Sequence, residues 1–184
     1  MKKPIPAETQ TAELDTAEAG EPPSSGSALK LELTIDQGVE LPIGQNRITL
    51  AIQAAGRHCG FTSGSIGVRV TNDDAIRELN KKHLGHDYAT DVISFGYSAD
   101  VPNLDGELVV SIDTASREAQ AVGWPVANEL LLYIVHGVLH ITGMDDHDQS
   151  DRSEMRASEE SIFLKLGIPE IIRCGADSDK EDQS

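Results

Sequence analysis

One stretch constrains this chain more than any other: LLLYIVHGVLHITGMDDHD, residues 130–148. It is an apolar helical run interrupted by two histidines, His136 and His140, spaced four apart. On a helix that spacing places both imidazoles on one face, one above the other. A polar ring among apolar neighbours needs a partner, and two rings that point the same way can share a metal ion. Gly143 stops the helix with the residue type that most readily takes a left-handed backbone, so the chain can fold back toward the histidine face. Asp145, Asp146 and His147 follow at once, which brings a third ligand within reach.

The pattern differs from the H-E-x-x-H arrangement of zinc peptidases, because position 137 is glycine and the glutamate base is missing. Three protein ligands leave a coordination position for a water, whose pKa zinc lowers to about 7, and a hydrolase follows if the site is open. Counted from His136, Asp146 stands at +10 and His147 at +11. The glycine-turn register favours Asp146 as third ligand, while His147 remains the alternative because imidazole is the commoner zinc ligand. The ligand left over, and Asp145, are then available to orient a histidine. A structural metal is the other reading, although closed structural zinc sites usually use cysteine. The two cysteines, Cys59 and Cys174, lie far from this stretch and from each other, which suits reduced thiols in the cytoplasm.

Residues 1–29 are rich in Ala, Glu, Thr, Pro, Ser and Gly without apolar periodicity and suit a disordered extension. Residues 30–173 suit a single domain, and 174–184 form an acidic tail. Neither an export signal nor a membrane-length run is present, so a soluble cytoplasmic protein is expected. The net charge is −16, of which the first 29 and last ten residues carry −3 each, leaving −10 in between. This argues against a broad basic face for nucleic acid, so RNA would be engaged through a local cationic groove, the metal or a partner.

Between the tails the chain alternates signals. LELTID and SIGVRVTN have strand periodicity, and 92–95 and 106–113 read as two further strands joined by a loop, which predicts an antiparallel pair. Helices are expected from Asn46, with Ile48, Ile52 and Ala55 inward; from Asn72 or Asp73, with Ile76 and Leu79 inward; from Asp113 or Thr114; after Pro125; and from Asp151 or Ser153, with Met155, Ile162, Phe163 and Leu166 inward. Trp124 is assigned to packing. The order predicts an α+β fold, a small mixed β-sheet covered by helices, with a zincin-like metal site on a helix-turn.

HGVLHITGMDD resembles the signature of the YbeY family, metal-dependent endoribonucleases also called ribosomal RNA maturation factors. ELNKKHLGHDYATDVISF, GELVVSIDTASREA and SEMRASEESIFLKLG resemble further stretches of that family in the same order, so the likeness runs from about Leu31 to Ile172. It implies one zinc ion on His136, His140 and a third ligand, and cleavage of single-stranded precursor ribosomal RNA, in 3′ end maturation of the small-subunit RNA and in ribosome quality control. Small-subunit ribosomal proteins become candidate partners, with neither DNA nor membrane expected. The chain departs from the family pattern in three places. Asp146 stands where members often have histidine, His83 and Leu84 where many carry an arginine, and Gly96 where a proline follows the Ser-Phe pair. A phosphoryl reaction needs positive charge near the developing oxyanion. Lys81, Lys82, His83 and His86 are the nearby substitutes, Lys82 and His83 being the phosphate-contact candidates, although lysines at a helix C-terminus are also favoured by the helix dipole alone. The alternatives are a ribosome-assembly factor with a structural metal and a metallohydrolase of a non-RNA substrate.

Overall fold

A computed structural model describes residues 28–173. The expected acidic tail and nearly all of the expected extension lie outside them. Leu29, counted with the extension by sequence, is a buried core residue against Gly56.

The elements follow the expected order: β1 (Lys30–Ile35), α1 (Gln45–His58), β2 (Ser63–Thr71), α2 (Asp73–Leu84), β3 (Val92–Asp100), β4 (Asn103–Ser111), α3 (Ile112–Val122), α4 (Val126–Ile141) and α5 (Gln149–Lys165). They form an α+β domain around one four-stranded mixed sheet of order β1-β2-β4-β3. β1 pairs parallel to β2, β2 parallel to β4, and β3 antiparallel to β4. The helical connections between β1 and β2, and between β2 and the β3–β4 hairpin, supply the length that parallel pairing needs. Alternation divides the side chains between two faces. Ile66, Val68, Val70, Leu104, Leu108 and Val110 join the main core, while Ile93 and Val109 meet Ile76 of α2 on the opposite face.

α4 is the centre of the main core. It packs on β3 and β4 and is flanked by α1, α3 and α5, so residues 130–135 are all buried. Gly137 and Gly106 let it approach the sheet closely. A Cβ at Gly137 would come within 2.6 Å of Leu108 Cδ2, and one at Gly106 within 2.8 Å of Ile141 Cδ1. Trp124 stacks on Phe163 of α5, as a packing residue should.

Several helix starts differ from the sequence reading. α1 begins after Gly44 without a side-chain cap, so Asn46 lies inside the helix. α3 is capped by Ser111, whose hydroxyl accepts from Thr114 N, and α5 by Asp148, whose carboxylate accepts from Asp151 N. In each case several capping residues stand close together, and the register of the packed helix selects among them. β3 and β4 also extend through most of the expected 98–106 loop, leaving a turn at Val101 and Pro102. That segment lacks apolar alternation, but the ladder from Ser98–Asp105 to Asp100–Asn103 pairs its backbone.

Candidate metal centre

The helix places the two rings as its periodicity requires. His136 and His140 stand with ring centroids 4.5 Å apart and planes nearly perpendicular, their Nε2 atoms 3.0 Å from each other. The chain leaves α4 through Thr142 and reverses at Gly143, whose φ of +99° falls in the region that favours glycine. The turn returns Asp146 so that Oδ2 lies 3.7 Å from His136 Nε2 and Oδ1 lies 3.8 Å from His140 Nε2. Tetrahedral zinc with nitrogen and oxygen ligands at about 2.0–2.1 Å needs donor atoms roughly 3.3 Å apart. The donor set therefore fits a divalent ion such as zinc, with nitrogen, nitrogen and oxygen ligands facing one point.

Each ring's other nitrogen already has a partner. His136 Nδ1 lies 2.8 Å from Glu159 Oε1, and His140 Nδ1 lies 3.0 Å from the carbonyl oxygen of Met144. Both partners are acceptors, so both Nδ1 atoms donate and both Nε2 lone pairs can face a metal. Glu159 is only 2% exposed, and its second oxygen accepts from Arg173. Burial opposes the charge on both members of the pair. The contacts win: Glu159 holds the His136 pKa above the ordinary histidine value, while His136 and Arg173 hold the Glu159 carboxyl below its own.

The turn is held by its backbone. Asp146 N donates to Asp145 Oδ1, and Arg152 Nη1 donates to the carbonyl oxygens of Asp146 and His147. His147 sits beside Asp145 with its side chain 86% exposed. It forms a cluster with Asp145 and Asp146, while the helix histidines cluster with Asp146.

His136 and Asp91 lie where two open clefts meet. The first, about 570 Å³, runs past His140, Leu84, Val92, Ile93, Met144 and His147. The second, about 520 Å³, runs between α3, α4 and α5 past Tyr133, Glu129, Arg117, Arg156 and Arg173. Lys82 and His83 line neither. His83 packs edge-on against Phe95 and lines a separate cleft on the sheet face that carries α2, beside Arg69 and Glu107. Lys81 pairs with Asp87, and His86 stacks on Tyr88. The end of α2 thus delivers to the metal cleft only Leu84.

Sequence reasoning missed Glu159 and the three arginines. Glu159 had a signal: it stands four residues after Met155 and three and four before Ile162 and Phe163, a carboxylate on an apolar stripe that must find a partner. Arg117, Arg156 and Arg173 come from three separate segments and meet only in the fold.

The family model for endoribonuclease YbeY matches residues 39–167. The endoribonuclease YbeY of Rhodopirellula baltica is 40% identical over 143 residues, covering 77% of this chain and 74% of that protein. That of Nautilia profundicola is 42% identical over 113 residues, 61% of this chain and 79% of the other. The solution structure of TM1509 from Thermotoga maritima shares the fold with a TM-score of 0.50 at 23% identity, over 76% of this chain and 91% of that one. The matched segment holds both helix histidines, the Gly143 turn, Asp146 and Glu159, so the chain belongs to the endoribonuclease YbeY family.

Proposed function

We propose that the chain is a zinc-dependent endoribonuclease that cleaves single-stranded ribosomal RNA precursors, with His136, His140 and Asp146 holding one zinc ion. Donor atoms of three residues lie 3.0–3.8 Å from one another beside open clefts, in a chain whose relatives are named endoribonucleases. That observation carries the reading. Zinc held there would supply Lewis-acid charge and a water acidified to near neutral pH.

The chain's own residues supply the rest. Glu159 and the Met144 carbonyl fix the tautomers and ring planes of the two histidines. Gly137 presses α4 onto Leu108 and Ser94, so no glutamate base fits at that position, which disfavours the H-E-x-x-H peptidase chemistry. Leu84, Val92 and Ile93 make one wall of the first cleft apolar, a surface on which an unstacked base can rest. Action in small-subunit RNA 3′ end maturation and ribosome quality control, together with small-subunit ribosomal proteins, follows from the family resemblance.

The test is a cleavage assay on matched single-stranded and duplex RNA with purified full-length protein, its chelated form and the His136→Ala variant. Cleavage of the single strand alone, lost on chelation and restored by zinc, is expected. Undiminished cleavage by His136→Ala would overturn the catalytic-metal reading, and equal cleavage of duplex would overturn the strand preference.

A further inference from the structure

The chain carries a net charge of −16, yet one cleft on its surface has only cations among its charged groups. It runs between α1 and α5, has a volume of about 390 Å³, and is lined by Arg47, Leu50, Ala54, Arg57, Lys165 and Leu166, with no carboxylate. Helical spacing builds it, because positions 47, 50, 54 and 57 recur at three and four along α1 and so share one face. Arg47 Nη1 donates to an uncharged partner, the carbonyl oxygen of Leu166, at 3.0 Å. Among the described residues no carboxylate pairs with Arg57 or Lys165. Leu50, 47% exposed, adds an apolar surface between the two arginines.

We propose that this cleft docks the chain's own acidic N-terminal segment, residues 8–21. That segment, ETQTAELDTAEAGE, holds Glu8, Glu13, Asp15, Glu18 and Glu21 and no basic residue, so its charge is opposite to that of the cleft. Leu14, between Glu13 and Asp15, supplies an apolar side chain to match Leu50. The chain also enters the domain beside the cleft. Leu29 lies against Gly56 of α1, and its carbonyl oxygen accepts from Gln53 Nε2 at 3.1 Å. Gln53 is three residues after Leu50 and four before Arg57, so it borders both on the helix surface. The eight steps from Leu29 back to Glu21 span at most roughly 28 Å, whereas Arg47 and Arg57 are about 15 Å apart along α1. The segment therefore reaches the whole cleft. Its tether makes the contact intramolecular, with an effective concentration on the order of millimolar.

Two other polyanions suit the cleft less well. The acidic C-terminal tail interrupts Asp177, Asp179, Glu181 and Asp182 with Lys180, and it follows Arg173, which is bonded to Glu159 in the separate cleft between α3, α4 and α5. An RNA strand seated at the metal lies in clefts that share no lining residue with this one. The docking is thus separate from the metal chemistry, and the ribonuclease reading neither supports it nor depends on it.

Zero-length carbodiimide coupling tests the docking, because it joins a lysine amine to a carboxylate only where the two are in contact. The full-length protein is coupled at low salt and its peptides are mapped by mass spectrometry, with the Lys81–Asp87 pair, 2.9 Å apart, as internal control. In the monomer Lys165 should join a carboxylate of residues 8–21, at a yield that dilution leaves unchanged. Salt at about 1 M, which screens charges beyond about 3 Å, should reduce that yield at least ~5-fold. Arg57→Glu should reduce it by a similar ~5-fold, since two opposed charges become alike, and should leave the Lys81–Asp87 link as it was. Arg57→Lys should retain the Lys165 link, and replacing Glu13, Asp15 and Glu18 by Gln, Asn and Gln together should remove most of it. Melting temperature reports that each variant is folded. The docking would be overturned by a control link without any link from Lys165 to the segment, by a link to residues 177–182 instead, or by a link confined to dimers and lost on dilution, which would mean a second copy. It would be overturned equally if Arg57→Glu left the cross-link unchanged and lowered affinity for single-stranded RNA, which would make the cleft a seat for RNA backbone.

Discussion

The candidate site has two halves built by different means. Its α4 half lies in the core: His136 and His140 are set by helical spacing, by the close seat of Gly137 on the sheet, and by acceptors behind each ring. Its turn half, residues 143–148, lies at the surface, and Asp146 is placed there by Gly143, by Asp145 and by two bonds from Arg152 to backbone carbonyls. A packed helix resists displacement because its neighbours fill the space around it. A surface turn keeps its shape only as long as a few hydrogen bonds hold. The α4 half should therefore dominate metal affinity, and the turn should tune it.

The most damaging change to the α4 half is His136→Ala, which removes a proposed ligand and leaves Glu159 buried beside Arg173. Zinc affinity should fall by more than ~100-fold, beyond the range usual for residues behind a ligand. Isothermal titration with zinc checks this. Retention of wild-type affinity would show that the metal does not sit on α4.

Glu159→Gln tests the support behind His136 and should lower zinc affinity by about 10–100-fold. It also has a pH signature in the metal-free chain. The folded His136 pKa is raised, so its contribution is complete below the unfolded value near 6.5 and is lost as pH rises through the folded value. The folded Glu159 pKa is lowered, so its contribution is present above the unfolded value near 4.3 and is lost as pH falls through the folded value. The stability gap between wild type and Glu159→Gln should thus be widest between about pH 4.3 and 6.5. Denaturant titrations across that range measure it, and a gap that widens steadily to pH 9 would contradict the pairing. His140 leans instead on the uncharged carbonyl of Met144.

Gly137→Ala asks whether the helix seat matters to the metal. The added methyl meets Leu108 Cδ2 at 2.6 Å, Ser94 Oγ at 3.0 Å and Val92 Cγ2 at 3.1 Å. Overpacking of this kind costs about 1–3 kcal/mol, and thermal unfolding should shift down by several degrees. Unchanged stability would mean that α4 rides more loosely on the sheet than its contacts indicate.

The difference between the halves also governs what was legible in the sequence. His136, His140, Gly143 and the order of all nine described elements follow from local periodicity and turn chemistry, which a linear reading captures. The caps at Ser111 and Asp148 do not, because neighbouring residues cap equally well and tertiary register chooses. The β3–β4 extension was hidden because its pairing belongs to the partner strand. The arginines of the second cleft were invisible for a stronger reason. Arg117, Arg156 and Arg173 lie on α3, on α5 and after α5, and no spacing along the chain brings them together. Lys82 and His83 had the opposite fault: they were close to the expected position in sequence, yet α2 carries His83 to the other face of the sheet.

The smallest expected effect concerns the turn, where the sequence left two residues open. Asp146 and His147 are adjacent, but successive side chains on a turn point in different directions. The carboxylate faces both Nε2 atoms within 3.8 Å, while the imidazole leans on Asp145 in solvent. His147→Ala should therefore leave zinc affinity within about twofold, in the range expected of an exposed surface substitution, whereas Asp146→Ala should weaken it far more. Equal losses in the two variants would mean that the turn rearranges when metal binds, bringing His147 inward. In that case the surface half of the site would be shaped by the ion, and only the α4 half would stand ready before it arrives.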